Sequence, residues 1–192
     1  MPLTPPTSRS FVRRDSRITR AQKFALEQNW LRFAMPDCTK LADLADSFQR
    51  RAPVTLEIGS GDGACVLQLA ALKSAENFFA VEVYRPGLGR LLHQAAIGKL
   101  TNIRVSDQDI CELLARFTQP IFDQVLIFFP DPWPKKRHHK RRLLQSEFFN
   151  LLEPCLHRHG RLFIATDSAS YAESILNTIN GLPNWVNLAG SR

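Results

Sequence analysis

The chain of 192 residues carries 25 Lys and Arg against 18 Asp and Glu, a formal net charge of +7, and is 44% hydrophobic and 22% charged. This composition suits one globular domain built on a sheet covered on both faces, and it excludes an extensively disordered chain. The positive balance points to a polyanion as long-range partner, nucleic acid ahead of membrane.

No apolar run approaches the roughly 20 residues that cross a bilayer. The opening MPLTPPTSRSFVRR lacks the apolar core of a secretory signal, so a cytoplasmic protein is expected. Four cysteines, Cys38, Cys65, Cys111 and Cys155, stand far apart without a Cys-x-x-Cys pair and are read as small buried hydrophobes. His157 and His159 are read as surface histidines, with Gly160 marking a loop, and no metal site is expected.

Residues 1 to 18 combine Pro2, Pro5 and Pro6 with Arg9, Arg13, Arg14 and Arg17, the composition of a flexible basic arm ahead of a single domain over 19 to 192. Thr19 and Gln22 have the spacing of a capping box, and Phe24, Ala25, Trp30 and Phe33 then recur at helical intervals, which predicts a helix over about 20 to 33. A second helix is expected from Thr39 to Arg50, with Leu41, Leu44, Ala45 and Phe48 on one side and Pro53 closing it.

Beyond it, the β-like runs VTLEI (54 to 58), NFFAVEV (77 to 83), NIRVS (102 to 106), DQVLIFF (123 to 129) and RLFIAT (161 to 166) alternate with segments of helical length. Continuous apolar runs joined by crossover helices predict an α/β, doubly wound, mostly parallel sheet with helices on both faces. Ligands of such sheets bind outside the carboxyl ends of the strands.

The first run ends in LEIGSGDGA, where Gly59, Gly61 and Gly63 allow a tight turn and close approach of backbone to a ligand. Read literally, Gly59, Gly61 and Ala64 satisfy a dinucleotide fingerprint. Glu57 and Asp62 argue against a pyrophosphate and for a cationic ligand without phosphate, such as S-adenosylmethionine. Glu82, 19 residues after Gly63, has the spacing at which an acid reaches ribose hydroxyls in either case. Asp109 either accepts from an adenine amino group or caps the following helix.

The fourth run delivers Asp131 to the same edge among Pro130, Pro132 and Pro134, a loop stiffened around its carboxylate. Lys135, Lys136, Arg137, Lys140, Arg141 and Arg142 follow as a positive patch beside it, suited to an anionic polymer. Trp133 either stacks on an extruded base or packs beneath the loop, and His138 and His139 are phosphate contacts or merely exposed. Asp167, after the fifth run, is a helix cap as well as a substrate contact.

PDPWPKKRHHKRR resembles the hallmark of the tRNA guanine-N7 methyltransferases, and the match continues in RSFVRRDSRITRAQ, LEIGSGDG, VEVYRPG and ATDSASYAE, spanning about residues 9 to 180. The resemblance implies a Rossmann-like class I methyltransferase that moves a methyl group from S-adenosylmethionine to N7 of a variable-loop guanine in tRNA. It also implies that Glu57, Glu82, Asp109 and Asp131 contact the cofactor, that Asp131 is central to catalysis, and that Lys135 and Asp167 meet guanine or tRNA. Arg137, Lys140, Arg141 and Arg142 are the expected further RNA contacts, and Pro134 stands where the family commonly has His.

Members of that family continue through a Thr-Lys-Phe-Glu type segment and a final antiparallel strand, neither of which occurs in these 192 residues. The sheet is therefore expected to lack that strand and to leave an unpaired edge on the fifth. Two other readings stand behind the first: a methyltransferase-like protein that binds tRNA without completing the reaction, and, more distantly, a nicotinamide-dependent oxidoreductase.

Overall fold

Thr19 starts the first helix with a reciprocal cap: its hydroxyl accepts the Gln22 amide at 3.2 Å, and Gln22 Oε1 accepts the Thr19 amide at 2.8 Å. The helix α1 spans Arg20–Phe33 and buries Ala25, Leu26 and Phe33. Phe24, which the spacing put on the apolar face, is instead 63% exposed. The buried face is the one turned toward α4 (Arg85–Ile97). Ile18, the last residue of the expected arm, packs against the same cluster as Leu26 and Phe33.

The computed structural model describes residues 18–35, 41–117 and 119–189. The basic arm before Ile18, Cys38 and the first residues of the expected second helix lie outside these. The second helix is α2, Leu41–Phe48, and Gln49 ends it in a left-handed conformation at φ 54°.

Five strands follow: β1 (Val54–Ile58), β2 (Asn77–Val81), β3 (Ile103–Ser106), β4 (Phe122–Phe128) and β5 (Leu156–Ala165). Between them run α3 (Ala64–Leu72), α4, α5 (Ile110–Leu114) and α6 (Ser146–Leu152), with α7 (Ala169–Asn180) after β5. The order across the sheet is β3-β2-β1-β4-β5 with every pairing parallel, and among the described residues no antiparallel strand joins it.

Every residue of β1 and β2 is buried, which explains why these segments read as unbroken apolar runs rather than alternations. Successive side chains serve two cores. Phe78 and Ala80 join Leu26, Val66, Leu88 and Leu92 on one face; Phe79 and Val81 join Leu44, Leu113, Phe148 and Ile175 on the other. Cys111 and Cys155 are buried in the second core, and Cys65 is half-buried.

At the outer edge, β5 begins before the run that predicted it, so His157, His159 and Gly160 lie in strand rather than in a loop. The loop signal had a cause. Phe122 pairs with Leu156 and Gln124 with Arg161, so five steps along β5 answer two along β4, and the surplus bulges. A β-carbon on Gly160 would stand 2.9 Å from the His157 carbonyl oxygen, so only glycine fits the bend.

Candidate functional site

The strands end level. Ile58 faces Val81, and Val81 faces Ser106; on the other side Ile58 faces Ile127, and Phe128 faces Ala165. Parallel strands in register carry the loops after all five to one edge, bringing together the regions of Glu57, Glu82, Asp109, Asp131 and Asp167. The chain order reverses between β1 and β4, the switch point at which doubly wound sheets open a crevice.

After β1 the chain turns through Gly59, Gly61 and Gly63 at φ 75°, 58° and 84°, conformations that side chains with a β-carbon resist. The Gly59 amide donates to the Val81 carbonyl at 2.8 Å, folding the turn over the end of β2. Glu82 then grips it: Oε2 accepts the Gly61 amide and Oε1 the Tyr84 amide, each at 2.7 Å. A β-carbon on Gly87, in the first turn of α4, would lie 2.4 Å from the Gly61 carbonyl oxygen.

Glu57 is 4% exposed. Burial pushes its carboxyl up to about 7, with the Glu82 charge adding to the rise and the nearby Cys65 thiol and Val66 amide opposing it. Burial and the Glu57 charge in turn push the Cys65 thiol up to about 11, which keeps it protonated as a donor. Glu57 Oε2 has no partner, and neither do the buried Ser60 Oγ and Gln108 Oε1.

Folded interiors pair such atoms, so three orphaned oxygens at the carboxyl ends of β1 and β3 are acceptors that a donor-bearing ligand would satisfy. An ammonium and hydroxyl groups fit this set. A pyrophosphate does not, because it brings only acceptors and negative charge to Glu57, Glu82 and Asp62.

Asp109 is the N-cap of α5, its Oδ1 accepting the Cys111 amide at 2.8 Å. The cap uses one oxygen and leaves the residue at the end of β3 beside Gln108. Asp131 is exposed in the loop after β4, bracketed by Phe129 and Trp133 at φ 51° and 43°. Bulky residues rarely adopt such angles, and their strain is typical of loops held for function.

Trp133 is half-buried against the basic segment that follows it. Its ring meets His138 edge-on at 5.8 Å and lies under the Arg141 guanidinium at 5.0 Å. Residues Lys136–Arg141 form a 3₁₀ helix of two turns, with Lys135, Lys136, Arg137 and Lys140 exposed and Arg141 half-buried. Desolvation, and then the charges of Arg137, Arg141, Lys135 and Lys140, hold the half-buried His138 below its ordinary pKa.

Arg142 departs from its expected place among the RNA contacts. It is 4% exposed, and its guanidinium donates to the Pro132 and Ser170 carbonyls instead of facing solvent. Asp167 is exposed one residue before Ser168, which occupies the N-cap of α7, so the cap assignment moves by one position.

A family profile described as "Putative methyltransferase" matches residues 51–192. The tRNA (guanine-N(7)-)-methyltransferase of Nitrosococcus oceani is 49% identical over 167 residues, 86% of this chain and 71% of its own length. That of Halorhodospira halophila is 43% identical over 190 residues, 98% of this chain and 82% of its own. The chain belongs to the tRNA (guanine-N(7)-)-methyltransferase family.

The precorrin-6y C5,15-methyltransferase of Geobacter metallireducens has the same fold at a TM-score of 0.55 and 14% identity, over 88% of this chain and 74% of its own.

Three residues of this methyltransferase family member escaped sequence reasoning. Gly87 stood in a quoted motif without a reason, which the Gly61 contact now supplies. Ser60 and Gln108 are polar residues in loops, where exposure is the ordinary expectation, and only the structure shows that Ser60 Oγ and Gln108 Oε1 are buried without a partner.

A recess of about 480 Å³ at the opposite, amino end of the strands is bordered by Arg50, Asn77, Asp123 and His157. Arg50 is tied to Asn77 Oδ1 and the Glu76 carbonyl, and Asp123 to the Val54 amide, so these polar groups already hold the fold together. Among the described residues no His, Cys, Asp and Glu cluster is arranged to hold a metal, and no helix is long and apolar enough to cross a membrane.

Proposed function

We propose that this chain transfers a methyl group from S-adenosylmethionine to N7 of a guanine in tRNA. The observation that carries the reading is Glu57 Oε2, buried and unpartnered at the end of β1 inside a glycine turn that Glu82 holds shut. A ligand with an ammonium group satisfies that oxygen, and relatives 49% and 43% identical bear the matching name.

S-adenosylmethionine, when bound, supplies an electrophilic methyl group on a sulfonium. The work of the protein is recognition and alignment. Glu57 and Ser60 hold the donor at the turn, Gly59 and Gly61 let backbone approach it, and Glu82 and Asp109 serve the ribose and adenine ends. Guanine N7 bears a lone pair and no proton, so attack needs no general base.

Asp131 accepts from the N1 and exocyclic amino hydrogens of the guanine. That contact orients N7, and its negative charge stabilises the positive charge the base acquires. Holding donor and acceptor in line supplies several kcal/mol, roughly 7 to 11 in the best cases. Trp133, clasped by Arg141 and His138, props the loop.

Lys135 and Asp167 face the guanine and its neighbours. Lys135, Lys136, Arg137, Lys140 and Arg141 meet phosphates.

The test is to incubate the 192-residue protein with unmodified tRNA transcript and methyl-labelled S-adenosylmethionine, and to map the product. Label at guanine N7 supports the proposal. Methylation of another atom overturns it, and tight binding of both ligands without transfer moves the chain to the class of non-catalytic tRNA binders.

A further inference from the structure

Arg142 is a buried cation. It lies 4% exposed at the end of the 3₁₀ segment, and none of the ion pairs among the described residues includes it. A charge in that position costs stability unless its donors are matched. Here three of them are matched by neutral groups of the loop after β4 and of the first turn of α7.

Nε donates to the Pro132 carbonyl at 2.9 Å. Nη1 reaches the Ser170 carbonyl at 3.4 Å, and Nη2 the Ser170 hydroxyl at 3.3 Å. The guanidinium plane rests 4.7 Å from the centre of the Tyr171 ring, whose hydroxyl accepts the Leu144 amide at 3.1 Å. Gln145 Nε2 fixes the Arg142 carbonyl at 2.6 Å, so the residue is anchored at both ends.

Pro132 follows Asp131 directly, and Ser170 lies three positions after Asp167. One planar side chain thus ties the loop that carries Asp131, after β4, to the first turn of α7, which follows Asp167. These strands pair directly, but their hydrogen-bond ladder stops at Phe128 and Ala165, with one further bond from the Phe129 amide to the Ala165 carbonyl. Beyond that point Arg142 bridges the Asp131 loop to α7, and the bond from the Leu144 amide to the Tyr171 hydroxyl joins the same helix further along the chain. A lysine reaches only one of Pro132 and Ser170 at a time, whereas the rigid fork of arginine reaches both.

We infer that Arg142 is a positioning residue that locks the Asp131 loop to the start of α7, directly after Asp167, so that the carboxylate set against the guanine stays registered with the substrate-side segment. The inference rests on the methyl-transfer reading for its catalytic consequence, but not for the cross-link itself.

The experiment uses the full 192-residue chain and Arg142→Lys, with Ser170→Ala as a milder second variant that removes a single acceptor. Hydrogen exchange is followed over 129–135 and 166–171, with 54–63 as internal control. In Arg142→Lys, protection is expected to fall together in both stretches, by more than about threefold, and to hold in the control segment. In parallel, kcat is expected to fall about ten- to a hundredfold with the affinity for S-adenosylhomocysteine unchanged, because misplacement of about 1 Å costs rates of that order. Failure of the charge-conserving lysine to rescue separates a geometric role from an electrostatic one.

Unchanged exchange in the two stretches, or loss in only one, overturns the cross-link. A kcat within about twofold of wild type overturns the positioning role. If the wild-type chain itself transfers no methyl group, the functional reading fails alone, and the exchange data still decide the cross-link.

Discussion

Glu82 accepts the Gly61 amide on one carboxylate oxygen and the Tyr84 amide on the other, both at 2.7 Å. The acid that ends β2 therefore clamps the glycine turn of β1 to the start of α4. Replacement by Gln turns one acceptor into a donor facing a backbone N–H, which is expected to cost about 1 to 3 kcal/mol. Thermal unfolding reads that loss, and calorimetry with S-adenosylhomocysteine is expected to show affinity lower by at least about tenfold.

Gly87→Ala is expected to destabilise the same turn from the other side. Its β-carbon would stand 2.4 Å from the Gly61 carbonyl oxygen, a backbone atom that yields only if the turn moves. The cost should be about 1 to 3 kcal/mol. Gly98→Ala is the matching control: φ is −69° and the nearest atom is 3.3 Å away, so its midpoint should change little.

Glu57 gives the free protein a pH dependence. Its carboxyl is raised from 4.5 to about 7, chiefly by burial, so the folded state holds the proton more tightly than the unfolded chain. The associated stability is present below about pH 4.5 and is lost as pH rises through about 7, on the order of 2 to 3 kcal/mol in all. Melts across this range should show the decline, and Glu57→Gln should flatten it. A cationic ligand requires the ionised form, so S-adenosylmethionine should bind more tightly at pH 8 than at pH 6, with proton release in calorimetry run in different buffers.

Asp131 is exposed, so Asp131→Asn should leave the melting midpoint close to wild type. Turnover is another matter. Loss of the negative acceptor is expected to lower kcat by about a hundredfold or more in a single-turnover assay with tRNA transcript. A variant of wild-type rate would remove the role assigned to this carboxylate.

Binding of tRNA should weaken steeply with salt, because the exposed Lys135, Lys136, Arg137 and Lys140 release counterions from phosphates. Lys136→Ala and Arg137→Ala should each reduce the slope of log K against log salt by about 0.7 to 1. A filter-binding series from low to moderate salt measures it.

Much of this protein is written locally. The strands β1 and β4 begin and end within a residue of the largely apolar runs that announce them, since a strand covered on both faces is mostly apolar. The capping box of Thr19 and Gln22 lies within one turn of helix and needs nothing from the rest of the chain. That Glu57, Glu82, Asp109 and Asp131 lie toward one edge was legible, because a parallel sheet sends the end of each run there.

What the tertiary structure alone decided are matters of burial and long-range approach. Phe24 and Leu26 are equally apolar, and only the docking of α1 on α4 turns one outward and the other inward. Arg142 belongs by composition to a solvated basic run, yet its donors are matched by groups 10 and 28 positions away, and so it folds inward. Gly87 owes its identity to a carbonyl 26 positions earlier, and no reading of neighbouring residues could supply a contact made only when α4 lies down on the turn after β1.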